Sequence, residues 1–319
     1  MITKRTLMAG LAATAALPSL VRAETGAEYI RVPITVKPNG RVLIPVTIND
    51  TGPYPFVMDT GASSSCIRDD IAKRLNLPLV DGRTAHGIGG IGFDARYRAK
   101  SVVFGTQLRQ GNVSLDGLKV AIGPDQDGLI AAGFLTTYPS ELDYGLREIR
   151  IFTHGQPDLT GYITLDSSLE GQSEGASPRI FVRASIDGIP LKLLVDTGAP
   201  SELLLHPQVV REHGLWDKYP DAKASRTAGV TGIVTPARDV TMPNFVLGDI
   251  AVPHLPVRLM DPTSQDGDGN PVNGILGSNF LKLFSMAVLN NGLRLRPNAR
   301  TVLTPDTPAP AVNSGAATS

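Results

Sequence analysis

The 319 residues, 42% hydrophobic and 19% charged, suffice for one large core or two modest ones, and length alone favours two domains. Thirty Lys and Arg offset thirty Asp and Glu to a formal net charge of zero, which excludes the basic surface that nucleic acid or an anionic membrane would recruit. Thirty-three Gly, 25 Pro and one Trp point to many turns and short strands, hence to a mainly β fold.

In chain order, the first element reads as a targeting segment. Lys4-Arg5 precedes an apolar stretch from Leu7 to Leu20. Val21-Arg22-Ala23 then places small residues where a signal peptidase reads, so cleavage is expected after Ala23. Thr3-Lys4-Arg5-Thr6-Leu7-Met8 is similar to a twin-arginine signal with Lys in place of the first Arg, which leaves the general secretory route open as well. The apolar stretch is short for a span of about 20 residues, which argues against a lasting anchor. Residues 1–23 are therefore expected to be a signal peptide, and the mature chain periplasmic or secreted.

Downstream, the chain repeats itself. Thr51 to Ile67 read TGPYPFVMDTGASSSCI, and Asp187 to Leu204 read DGIPLKLLVDTGAPSELL. Each has a Gly-containing turn, a short apolar strand, and then Asp-Thr-Gly-Ala, at 59–62 and 196–199. A Gly-punctuated turn follows in both copies, at Gly87, Gly89 and Gly90 in the first and at Gly229 and Gly232 in the second. These turns read as hairpins. Strand pairs are expected next, near Ala99–Phe104 with Val113–Ile122, and near Val240–Leu247 with Val252–Leu259. Asp127–Leu135 then aligns with Asn273–Leu281 as an apolar strand and a helical start. A long unit occurring twice suggests a duplicated domain about a pseudo-twofold axis rather than a solenoid. The expected division is a first lobe over 27–152, a linker over 153–177, a second lobe over 178–300 and a disordered Pro-, Ala- and Ser-rich tail over 304–319. Short helices are expected at Arg68–Leu75 and Gln208–Gly214.

Two carboxylates that face each other can activate a water and supply a proton. Like charges a few ångströms apart cannot both stay ionised, so the pair retains one proton. In each copy the apolar strand delivers Asp59 or Asp196 to its end. Thr60 and Thr197 carry hydroxyls that can bond across a twofold axis. Gly61 and Gly198 let the backbone turn tightly beside the carboxylates.

These residues resemble the catalytic loops of the retropepsin and pepsin group of aspartic proteases, over nearly the whole chain from about Tyr29 to about Pro297. The resemblance implies duplicated acid-protease β-barrel lobes of six or seven strands, with Asp59 and Asp196 as the catalytic dyad. Thr60, Gly61, Ala62, Thr197, Gly198 and Ala199 would support it, and a Gly-rich hairpin would close on substrate as a flap. Ala62 and Ala199 follow the retropepsin form of the motif. Retropepsins assemble their site from two chains, whereas this chain carries both halves. It departs from the family pattern at Ala131, where the apolar-apolar-Gly segment that crosses behind the catalytic loop should have Gly, as Gly277 does in the second copy.

Other candidates are weaker. Cys66, the single cysteine, reads as a small buried filler rather than a thiol nucleophile. Asp266-Gly267-Asp268-Gly269-Asn270 opens like a calcium loop but has Pro271 and Gly277 where the loop needs Gly and an acid. The five His form no metal-ligand spacing. The reading is thus a monomeric aspartic endopeptidase that needs no cofactor or metal and takes an extended peptide. A non-catalytic peptide-binding module on the same scaffold, or an envelope β-sandwich in which the motifs are only turns, are the competing readings. The β-sandwich would hold Asp59 and Asp196 far apart.

Overall fold

The computed structural model describes residues 21–22, 27–87, 90–119, 123, 125–171, 176–229, 234–264 and 272–298. Most of the expected leader, the tail over 304–319, Asp266–Asn270, Gly89 and Gly232 lie outside them. The chain is mainly β and builds the same barrel twice. In the first lobe Val42–Ile48, Thr51–Met58, Gly128–Ile130, Cys66–Arg68, Leu108–Leu118 and Gly90–Phe104 pair in that order. The ring closes where Val46 meets Phe104 and Ile48 meets Val102. In the second lobe the order is Arg179–Ile186, Ile189–Asp196, Gly274–Gly277, Leu203–Leu205, Ile250–Met260 and Val234–Leu247, closed by Ser185 with Val246. Two further strands extend each sheet to eight, one more than the upper expectation for a lobe.

Local chemistry explains why the two lobes begin alike. The hairpin before Asp59 turns through Asn49 and Asp50, with φ of 47° and 63°, and the one before Asp196 turns through Asp187 and Gly188, with φ of 49° and 78°. Two successive positive φ values are the turn whose twist matches paired strands, and Asn, Asp and Gly are the residues that adopt it. Each hairpin's return strand then runs from solvent into the core: Thr51–Met58 begins exposed and ends in buried Phe56, Val57 and Met58. Both Asp-Thr-Gly loops therefore start at the inner end of a strand.

A third sheet, absent from the sequence reading, joins the lobes. Its order is Val21–Arg22, Glu28–Pro33, Glu148–His154, Ser140–Asp143, Phe284–Leu289, Gly292–Pro297 and Ile163–Thr164. At its centre Ser140, Glu141 and Leu142 of the first lobe pair with Val288, Ala287 and Met286 of the second. Two pairings, one in this sheet and one in the second barrel's sheet, fall inside the linker expected over 153–177. Ile163–Thr164 pairs with Gly292–Pro297, and Ser167–Glu170 pairs with Arg179–Ile186, so strands of the second lobe and the joining sheet begin well before 178. These strands are only two and four residues long, too short to show a period.

The helices fall where expected with shifted ends, at Asp69–Arg74 and Pro207–Glu212. Pro207 occupies the first turn, where its missing N–H is no loss. An additional turn of helix at Leu215–Lys218 follows Gly214. Among the described residues no helix is long and apolar enough to cross a membrane.

Candidate active site

The two Asp-Thr-Gly loops meet at the junction of the lobes, and their hydrogen bonds are reciprocal. Thr60 N–H donates to Thr197 Oγ1 at 3.2 Å, and Thr197 N–H donates to Thr60 Oγ1 at 3.0 Å. Each hydroxyl donates onward across the interface, Thr60 Oγ1 to Val195 O at 2.7 Å and Thr197 Oγ1 to Met58 O. Both threonines are fully buried, so all four bonds are made out of competition with water and would be expensive to leave unmade.

This lattice sets the half-buried Asp59 and Asp196 carboxyls against each other. Each carboxylate is cradled by its own loop. Gly61 and Ala62 N–H donate to Asp59 Oδ1 at 2.9 and 3.1 Å, and Gly198 and Ala199 N–H donate to Asp196 Oδ1 at 2.7 and 3.1 Å. The glycines are required by the approach of the opposite lobe. A Cβ on Gly61 would lie 2.6 Å from Asp196 Cγ, and one on Gly198 would lie 2.6 Å from Asp59 Cγ. Ala62 and Ala199 instead turn their methyls onto equivalent apolar clusters, one including Val57 and Leu129, the other Leu194 and Ile275.

The pair is electrostatically unequal. Burial first, then the charge of Asp196 and the hydrogen bond to it, hold the Asp59 carboxyl well above the usual carboxylate range. Burial raises Asp196 as well, but the Gly198 N–H and the bond from Asp59 oppose it. Two carboxyls held this close share one proton and titrate as a pair.

The apolar-Gly segments cross behind the loops as parallel partners of the inner strands, Ile130 beside Met58 and Gly277 beside Asp196. The departure at Ala131 has a structural reason. Leu129 pairs with Cys66, whereas the equivalent Ile275 pairs with Leu204, so the turn after the motif is one residue shorter in the first lobe. In the longer turn the carbonyls of Ser201 and Ala199 lie 2.2 and 2.7 Å from where a Cβ on Gly277 would sit. In the shorter one Ala131 N–H donates to Ser65 Oγ at 3.0 Å, and Ala131 is accommodated in the core.

Of the flap glycines, Gly87 and Gly90 pair at the described end of the hairpin formed by Leu79–Gly87 and Gly90–Phe104. Gly229 follows the strand Lys223–Ala228 of the second hairpin. Cys66 is half-buried, and its thiol donates to Ser64 O at 3.6 Å. No three His, Cys, Asp or Glu side chains gather as a metal site among the described residues.

Two residues went unnoticed in the sequence. Arg41 Nε donates to Gly198 O at 2.6 Å, and Arg179 Nη1 donates to Gly61 O at 3.4 Å. Each reaches from one lobe to the Asp-Thr-Gly glycine of the other. The available signal was positional: Arg41 lies just before, and Arg179 at the first residue of, the opening barrel strand of its own copy.

A family model described as "Aspartyl protease" matches residues 44–134 and again residues 182–280. The chain belongs to this aspartyl protease family. The two matches cover more than half of the chain and fall one on each barrel. No curated protein matches it.

Proposed function

We propose that the chain is an aspartic endopeptidase that hydrolyses peptide bonds with one water held between Asp59 and Asp196. The observation that carries this reading is the facing, half-buried Asp59–Asp196 pair, with a backbone N–H pair fixed on each carboxylate. Asp196, the more readily ionised member, takes a proton from the water. Asp59 donates its proton to the carbonyl oxygen of the scissile bond, which neutralises charge as the tetrahedral intermediate forms. The amide nitrogen then leaves with the proton gained by Asp196, while a hydroxyl of the diol intermediate returns its proton to Asp59 as the C–N bond breaks, and the pair is again singly protonated. No metal or cofactor is required by this sequence of steps.

Substrate is an extended peptide, paired strand-like beneath the hairpins that carry Gly87, Gly90 and Gly229. The protein acts as a monomer, since both carboxylates come from one chain. Export through the segment 1–23 would place it in the periplasm or medium. Cleavage after Ala23 would remove the strand Val21–Arg22, leaving Glu28–Pro33 as the edge of the joining sheet.

The test uses the mature protein and a peptide library. Asp59→Asn and Asp196→Asn should each lower kcat/KM by about 10³-fold or more while leaving the folded spectrum unchanged. Undiminished cleavage by either variant would refute the dyad. A parent that binds peptides but cleaves none would make the chain a peptide-binding module.

A further inference from the structure

The cross-lobe arginines do more than join the lobes. Gly198 C=O and Ala199 N–H belong to one peptide unit. Arg41 donates to its oxygen at 2.6 Å, and its N–H donates to Asp196 Oδ1 at 3.1 Å. On the other side, Arg179 donates to Gly61 O at 3.4 Å, and Ala62 N–H of the same peptide unit donates to Asp59 Oδ1 at 3.1 Å. A guanidinium at the oxygen polarises the peptide and makes its N–H a stronger donor, as successive hydrogen bonds in a chain reinforce one another. Each arginine therefore acts on the carboxylate of the opposite lobe through a single peptide group.

The two relays differ in length. The bond behind Asp196 is short, and the one behind Asp59 is at the long limit of a hydrogen bond. The short relay coincides with the tighter cradle, where Gly198 N–H lies 2.7 Å from Asp196 and Gly61 N–H lies 2.9 Å from Asp59. We infer that Arg41 and Arg179 are positioning residues which, by acting unequally through the Gly198 and Gly61 peptides, decide that Asp196 carries the charge and Asp59 the proton. This inference rests on the aspartic-protease reading for its consequence in catalysis, but not for its consequence in titration.

Through space Arg41 opposes the rise in both carboxyls, with Asp59 ahead of Asp196 among its own charge partners, so the bias toward Asp196 comes from the bond to Gly198 O. On its own turn, Arg41 Nη1 donates to Gln126 Oε1 at 3.4 Å and Lys37 is paired with Asp125 at 3.0 Å. On the other side, Arg179 is buried over the Phe181 ring, which it shares with Lys192, and Lys192 is paired with Glu170 at 2.8 Å. The neighbouring charges are thus matched locally. The symmetric Asp-Thr-Gly-Ala motifs cannot assign unlike roles by themselves, and the unequal arginine bonds supply the difference.

The experiment compares wild type with Arg41→Met, Arg41→Lys and Arg179→Met. The first readout is the pH profile of kcat/KM on a peptide that the wild type cleaves. The second is the titration of ¹³C-labelled Asp carboxyls by NMR, which needs no activity. Loss of Arg41 destabilises the singly ionised pair, so both limbs of the profile should move to higher pH. On the acidic limb kcat/KM should fall about tenfold. Arg41→Lys should restore part of the shift through its charge, and Arg179→Met should move the profile less than Arg41→Met does. A purely structural role would lower kcat/KM at every pH and leave both limbs and the carboxyl titration in place, which would overturn the inference. If Arg41→Met fails to fold, the same comparison is made with Arg41→Lys and Arg179→Met, and unmoved carboxyl titrations in both overturn it. If the wild type cleaves nothing, the NMR arm still decides: a shift of the carboxyl titrations in the arginine variants upholds the relay while the protease reading fails.

Discussion

A carboxyl group that leaves water without an opposing charge in full contact prefers to keep its proton. Asp59 is in that position, since burial and the adjacent Asp196 outweigh what the Gly61 N–H and Arg41 return to its anion. A consequence for stability follows. The folded chain holds this proton to higher pH than the unfolded chain does. The stabilising effect is therefore complete below the ordinary carboxylate range and is lost as pH rises through the raised folded value. Asp59→Asn is neutral throughout and can still donate to Asp196, so it should escape that loss. By calorimetry, the Tm of the variant should match wild type near about pH 3 and exceed it by a few degrees near about pH 7. Equal Tm differences at both pH values would mean that Asp59 is not held protonated. At this scale the motif residues were legible because Asp, Thr and Gly each have one job that the spacing dictates. Arg41 and Arg179 were not, because a long side chain reaching across 157 and 118 residues of sequence leaves no local pattern.

At the level of single elements, the equivalent strands and turns are alike where a shared geometry is imposed and differ where the chain length differs. The Asp187-Gly188 turn was legible because its residues suit positive φ, whereas in the first copy the turn falls on Asn49-Asp50 and the Gly52 expected to mark it lies in the strand Thr51–Met58. The unequal turns after the two motifs were not legible, because one residue gained or lost in a short loop alters no periodicity. They account for Ala131 and Gly277 and yield an asymmetric expectation. Gly277→Ala drives a methyl against two backbone carbonyls and should destabilise the chain by about 1–3 kcal/mol. Ala131→Gly only loosens a strand end and should cost about 1 kcal/mol. Urea unfolding midpoints at constant m measure both. A larger loss for Ala131→Gly would contradict the account of the shorter turn.

For the whole molecule, the duplicated architecture was readable because the repeat extends over both barrels, as the two family matches also find. The joining sheet was not readable, since its pairings connect segments from the start, middle and end of the chain. Its polar side carries an ion network across the lobes. The Glu141 carboxylate, 4% exposed, accepts from Arg150 at 2.8 Å in its own lobe and from Arg296 of the other at 3.3 Å, and Tyr162 donates to it from the connecting segment. Glu141→Gln removes the common anion and leaves cations facing a neutral amide. It should lower stability by about 1–3 kcal/mol and make lobe separation detectable as a second unfolding step. A single unchanged transition would show that the backbone pairing of Ser140–Leu142 with Met286–Val288 alone couples the lobes.

Everything proposed for this chain depends on its two lobes placing one carboxyl each into a single titrating pair. NMR of ¹³C-labelled Asp carboxyls across pH reads that pair directly. The expected result is that Asp59 and Asp196 report the same two steps, one of them above the ordinary carboxylate range, and that Asp196→Asn reduces Asp59 to one step. Two independent steps in the ordinary range, each indifferent to substitution of the other residue, would contradict it.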